Sequence, residues 1–246
     1  MKPYNKKYVL DVITEYNNKI KIKKVGDFEI KKNYGIQGIV KGYMYEIEDG
    51  VNIDILELQG PDNVWMRLTP LEIESSYMPI KFSKGKVGLV GLGLGYVAQE
   101  MAKRKDVKEV IVYEIDQDVI DLYNNSFNKN KKIKILCEDA FKAESNSFDF
   151  FYVDIYEYKL TKKVVEDYKI LNSLHKIEEY SFWGMEHFLL SCRYEEIVWV
   201  YIPENWMAMT KLLSERLEES GYIKHYKALD EKLVSEVIAD FKIVLE

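Results

Sequence analysis

Residues 86–103 read "KVGLVGLGLGYVAQEMAK". A short apolar run comes first, then glycine at every second position (Gly91, Gly93, Gly95), then an amphipathic stretch. The run predicts a buried strand and the stretch after it a helix. Glycine tolerates positive φ and lets other atoms approach the backbone closely. A helix start offers unpaired N–H groups and the positive end of the helix dipole. A nucleotide-like ligand is therefore expected across this turn.

Working outward, the same grammar continues downstream. Strands are expected at "KVGLVG", "EVIVYE", "IKILC", "FDFFYVDI" and "EIVWVYI". Helices are expected over 95–105, 117–127, 162–174 and 203–220. Short apolar strands separated by helices predict a parallel sheet covered on both faces. In the tail, "YIKHYKAL" and "FKIVLE" read as two strands closing the far edge, with a helix at "DEKLVSEVIAD" between them.

The first eighty residues differ. "YVLDVITEY" has helical spacing, "KIKIKKVGDFEIKK" alternates around Gly26-Asp27, and Asp49-Gly50 is a hairpin signal. "VWMRLT" offers a further strand, and "PLEIESSYMPIKFSKG" reads as a helix leading onward. The fold class is therefore α/β: a Rossmann-like sheet domain (81–246) behind a small, mostly β N-terminal domain (1–80).

Acidic residues fall at the carboxyl ends of the expected strands, where open α/β sheets bind ligands. Glu114, 19 residues past Gly95, can accept from both ribose hydroxyls. Asp139 ends the third strand and can receive an adenine amino group, with Ala140 or Phe141 packing on the ring. Asp154 ends the fourth, followed by Tyr156 and Glu157. Asp139 can equally cap a following helix, and the glycines can serve a tight turn alone.

In order and interval, "VGLVGLGLG", "VIVYEID", "CEDAF" and "FDFFYVDIY" resemble the cofactor half of class I S-adenosylmethionine-dependent methyltransferases. The resemblance implies that Gly91, Gly93 and Gly95 pass the methionine moiety. It implies that Glu114 holds the ribose, that Asp139 meets the adenine, and that S-adenosylmethionine is the cofactor. The architecture and "VYEIDQDVIDLYNN" are also similar to spermidine synthases, whose linker would lie at "VWMRLTPLEIESSYMPI". That likeness implies decarboxylated S-adenosylmethionine and aminopropyl transfer as the alternative. The spermidine synthase catalytic segment, Asp-Ser/Thr-x-Asp-Pro, reads Asp154-Ile155-Tyr156-Glu157-Tyr158 here, retaining the first acid. Asp154, Tyr156 and Glu157 are the candidate catalytic residues. A third possibility is a non-catalytic adenosyl-ligand or partner-binding protein on the same scaffold.

Composition bounds the rest. A hydrophobic share of 47% and a charged share of 31% describe a globular chain. No apolar run is long enough to span a membrane, and no signal core opens the sequence, so a cytoplasmic protein is expected. The net charge of −6 argues against a nucleic-acid surface. The basic stretch "NKNKKIK" (128–134) reads as a solvated loop. A small-molecule acceptor is expected, and a homodimer is allowed. Cys137 and Cys192 read as buried thiols, and three scattered histidines offer no metal site. No Pro-Pro-Tyr follows strand four, as it would in amino-group DNA methyltransferases. The aromatic segment 180–188 reads as a packed helix, with Glu186 and His187 as an acid/base pair in the sharper reading.

Overall fold

The computed structural model describes residues 4–36, 39–41, 44, 48–50, 53–157 and 159–245. The N-terminal part opens with α1 (Lys6–Lys19). Asn5 caps it by accepting from the Tyr8 amide, and Val9, Val12, Ile13 and Tyr16 form its buried stripe. Strands β1 (Lys23–Val25) and β2 (Phe28–Ile36) form the hairpin expected at Gly26-Asp27, with φ of 51° at Gly26. β3 (Ile39–Lys41) and β4 (Glu48–Gly50) form a small antiparallel pair. Asp49 and Gly50 thus lie in a strand, opposite Val40 and Ile39, rather than in a hairpin turn. Residues 51–52, which would complete that expected turn, fall outside the described residues. β5 (Ile53–Gln59) and β6 (Val64–Arg67) complete a four-stranded antiparallel sheet of order β1-β2-β5-β6. The expected leading helix is two short ones, α2 (Pro70–Ser75) and α3 (Tyr77–Phe82).

The second part alternates β7 (Gly85–Val90), α4 (Tyr96–Lys103), β8 (Val107–Glu114), α5 (Gln117–Ser126) and β9 (Ile133–Cys137). β10 (Ser147–Phe148), β11 (Phe150–Val153), α6 (Lys163–Leu174), β12 (Lys176–Ile177) and β13 (Tyr180–Phe182) follow. The central sheet has the order β13-β11-β7-β8-β9, and every pairing is parallel. Relabelled in chain order this is 3-2-1-4-5, so the order reverses beside β7, the point at which doubly wound sheets bind ligands. β10 pairs with β12 in a separate parallel ladder.

Side chains alternate between two cores. Leu89, Val110, Val112, Phe150 and Tyr152 face one, shared with α1, β5, α4 and α5; residues on both sides of position 80 therefore pack in the same core. Ile111, Tyr113, Phe151 and Val153 face the other, under the C-terminal helices.

Those helices are where the expected strands fail. "EIVWVYI" is not a strand but lies largely in α8 (Tyr194–Val200), between α7 (Met185–Ser191) and α9 (Glu204–Ser220). A short apolar run does not by itself separate strand from helix. Here Arg193 and Glu196 form a reciprocal cap at its start, and Tyr201 ends it in the left-handed region at φ 56°. Val198 and Trp199 are about half exposed, and Lys242 lies over the Trp199 ring. The fifth strand is instead β13, inside the segment expected to be helical throughout. The tail forms a short 3₁₀ turn (Tyr222–His225) and α10 (Glu231–Leu245) in place of two strands.

β13 is an edge strand, and such edges need cover. Trp206 of α9 supplies it: the fully buried indole N–H donates to the Tyr180 carbonyl at 2.7 Å, and its ring meets Tyr168 and Phe241 edge-on. Trp206→Ala removes both packing and the bond, so a loss of about 3–5 kcal/mol is expected in chemical denaturation.

Candidate functional site

The glycine turn joins three elements. Gly91, Gly93 and Gly95 all have positive φ (95°, 51° and 80°), and Gly95 is the N-cap of α4. The Gly91 amide donates to the Tyr113 carbonyl at 2.9 Å, tying the turn to β8. A Cβ on Gly91 would lie 2.5 Å from the Asp154 carbonyl oxygen, so the end of β11 packs directly on it. A Cβ on Gly93 would lie 2.6 Å from the Met66 sulfur, which also accepts the Leu94 amide at 3.0 Å. β6 thus reaches across from the N-terminal sheet onto the turn.

Glu114 ends β8 and is largely enclosed. One carboxyl oxygen accepts the Leu92 amide at 3.1 Å and the other the Asp116 amide at 3.0 Å. Burial raises its pKa, while amides of Asp116, Leu92 and Ile115 oppose the rise. The carboxylate braces the turn and keeps lone pairs for further donors. Ile115, the next residue, is 75% exposed at the same sheet edge, an apolar surface that a ring laid there would cover.

Asp139 stands past β9 in a turn with no helix to cap. It accepts the Phe141 amide at 3.0 Å and pairs with Lys142 at 2.9 Å, which holds its carboxyl below the usual range. Ala140 is buried in the second core rather than presented at the edge, and the Lys163 ammonium lies over the Phe141 ring.

The three candidate catalytic residues separate. Asp154 follows β11, its amide donating to the Val90 carbonyl at 2.9 Å, and burial raises the pKa of its carboxyl. Tyr156 turns away: its hydroxyl donates to Asp167 at 2.9 Å, which Lys163 grips at 2.6 and 2.7 Å. Glu157 is exposed. What Asp154 faces instead is Glu72 of α2. Glu72 is buried and accepts the Ser76 hydroxyl at 3.1 Å; burial first, and the like charge of Asp154 second, raise its pKa. The Tyr152 hydroxyl is buried without a hydrogen-bond partner, and the same two carboxyls add to what burial does in raising its pKa. The Tyr96 hydroxyl, directly after the glycine turn, is also buried and unpartnered.

Met66, Glu72 and Ile115 were not legible as site residues from spacing. The first two lie in the linker "VWMRLTPLEIESSYMPI", whose place before the glycine strand is the sequence signal for them.

In the aromatic segment, the His187 ring bonds the Lys227 carbonyl at 2.9 Å, and burial lowers its pKa. Cys137 is exposed and Cys192 half-buried, against the expectation of two buried thiols. Among the described residues no group of His, Cys, Asp and Glu could hold a metal ion, and no helix is long and apolar enough to cross a membrane. Glu186 is buried with one carboxyl oxygen unpartnered, and burial pushes it up to about 8. The folded state therefore keeps a proton that the unfolded chain releases near pH 4.5. Stability falls as pH rises between those values. Glu186→Gln is expected to lose less melting temperature than the wild type between pH 5 and pH 8, by roughly 2–4 °C for each kcal/mol recovered.

Comparisons with known proteins bear on the same segment. The family model described as ribosomal RNA adenine dimethylase matches residues 80–184, which include the glycine turn, Glu114, Asp139 and Asp154. No curated protein matches. Among solved structures, the 23S rRNA methyltransferase ErmE aligns at 20% identity over 44% of this chain and 43% of its own, with a TM-score of 0.35. An S-adenosylmethionine-dependent methyltransferase from Clostridium acetobutylicum aligns at 13% identity over 44% and 48%, with a TM-score of 0.34. Spermidine synthase from Thermotoga maritima aligns at 15% identity over 82% and 72%, with a TM-score of 0.39. The chain thus spans under half the length of the first two. The family match corrects the expectation of a small-molecule acceptor and no nucleic acid. Net charge averages over a whole surface, whereas phosphate contacts need only a local face. The sequence similarity of this segment is to the ribosomal RNA adenine dimethylase family model.

Proposed function

We propose that the chain transfers a methyl group from S-adenosylmethionine to an adenine amino group of RNA. The observation that carries this reading is the match of the ribosomal RNA adenine dimethylase family model to residues 80–184, the segment that builds the glycine turn and the Asp154 edge. The residues present fit the cofactor. Its positive charge suits the enclosed carboxyl of Glu72, with which no cationic side chain pairs among the described residues. Its adenosyl half suits Glu114 and the exposed Ile115. Lys129 and Lys131 are exposed in the loop after α5, at whose end Lys23 bonds Asn125, and could contact phosphates.

The bound cofactor supplies a methyl group already activated by its sulfonium. The protein's part is orientation. The turn is held by Glu114 and by the end of β11, so its backbone does not reorganise. Asp154 accepts an N–H of the incoming amine, aims the nitrogen, and takes up the proton released as the bond forms. Tyr156 keeps α6 against this edge through Asp167.

Incubation of RNA with a methyl-labelled donor, followed by nucleoside mass spectrometry, tests the reading. Methylated adenosine is expected; label absent from RNA at millimolar donor overturns it. Asp154→Asn should keep affinity for S-adenosylhomocysteine within a few-fold and cut turnover by about 100-fold or more. Glu114→Ala should weaken calorimetric binding of S-adenosylhomocysteine at least about tenfold, through loss of charged hydrogen bonds and of the brace on Leu92.

A further inference from the structure

Two carboxyl side chains from different parts of the chain meet beside the glycine turn, enclosed and with no cationic side chain on either among the described residues. Enclosed like charges are costly in one another's presence, so the pair stays partly protonated until a cation arrives. The Tyr152 hydroxyl faces both and has no partner. Buried polar groups are almost always satisfied. An orphaned hydroxyl next to an unneutralised carboxyl pair therefore marks where ligand atoms complete the set. The place is defined: the Asp154 carbonyl packs on Gly91, Tyr96 follows Gly95, and Ile73, beside Glu72, is in the same core as Leu92 and Leu94.

We propose that Glu72 receives the α-ammonium group of S-adenosylmethionine, leaving Asp154 to the acceptor. The inference rests on the cofactor reading and deepens it. A sulfonium has no hydrogen to donate and the ligand's carboxylate would be repelled, whereas an ammonium brings three donors. Glu72 is the more enclosed of the two acids and is oriented by the Ser76 hydroxyl. Asp154 keeps some exposed surface at the sheet edge, where an acceptor approaches. The ammonium also relieves the repulsion between the carboxyls, so Asp154 becomes the ionised, accepting form once the cofactor is loaded. Loading then releases protons near neutral pH. The groups facing Glu72 that bear on this are Asp154, Tyr152, Tyr96 and Ser76.

Calorimetry with two ligands separates the outcomes. S-adenosylhomocysteine carries the amino-acid end and methylthioadenosine lacks it. The wild type should prefer the former by about tenfold or more, with proton release visible as a dependence of heat on buffer ionisation. Glu72→Gln, which imitates the protonated acid, should lose most of that preference and the proton release, with methylthioadenosine affinity unchanged. Tyr152→Phe removes only the orphaned hydroxyl and should weaken S-adenosylhomocysteine alone. Wild-type preference and proton release surviving in Glu72→Gln overturn the proposal and leave the cofactor reading standing. A wild type that binds neither ligand overturns both.

Discussion

The packing of the N-terminal elements onto the glycine-bearing face of the parallel sheet is the constraint on which the site depends. Tyr16 of α1 is fully buried, meets Tyr96 edge-on at 5.1 Å between ring centroids, and donates to Glu100 at 2.7 Å. That contact fixes α1 against α4, whose N-cap is the last glycine of the turn. From the same side, Met66 covers Gly93 and α2 delivers Glu72 beside Asp154. A parallel sheet needs cover on both faces. Here one cover is also what closes the site.

The balance of charge at that junction follows. Two other carboxyls are matched by cations: the half-exposed Asp139 by Lys142, and the buried Glu57 by Arg67. Glu114 is matched by backbone amides. In the pair of Glu72 and Asp154, burial and mutual repulsion act in one direction. Glu186 is the other buried acid without a cation, but it stands alone inside the C-terminal helices, whereas Glu72 and Asp154 meet as a pair at the ligand-binding edge, where a structural role would favour neutral or paired groups.

The sheet's opposite face shows how the chain solves a different problem. Five parallel strands end at β13, and everything after Phe182 in the described residues is helical or irregular. The exposed edge is covered by α9 through the Trp206 bond to the Tyr180 carbonyl, and Phe241 of α10 stacks on Phe182. The run expected as the fifth strand had the right residues for one, but its two half-exposed members, Val198 and Trp199, have no sheet to face.

What the sequence by itself determined was local and periodic. Gly91, Gly93 and Gly95 declare a turn because left-handed backbone is cheap only for glycine. The alternation through Leu89, Val112 and Tyr152 declares strands, and the acids at their ends declare an edge. The run at 196–202 is expected as a strand, but seven such residues fit either a strand or two helical turns, and only packing chose. Tertiary structure alone decided the rest. It separated Asp154 from Tyr156 and Glu157, two and three residues away, because a chain leaving a strand turns its side chains to different neighbours. It brought Glu72 to Asp154 across 82 positions, because a surface that must bury its apolar face carries its polar residues along. No spacing rule encodes that meeting; it exists only once two sheets share a core.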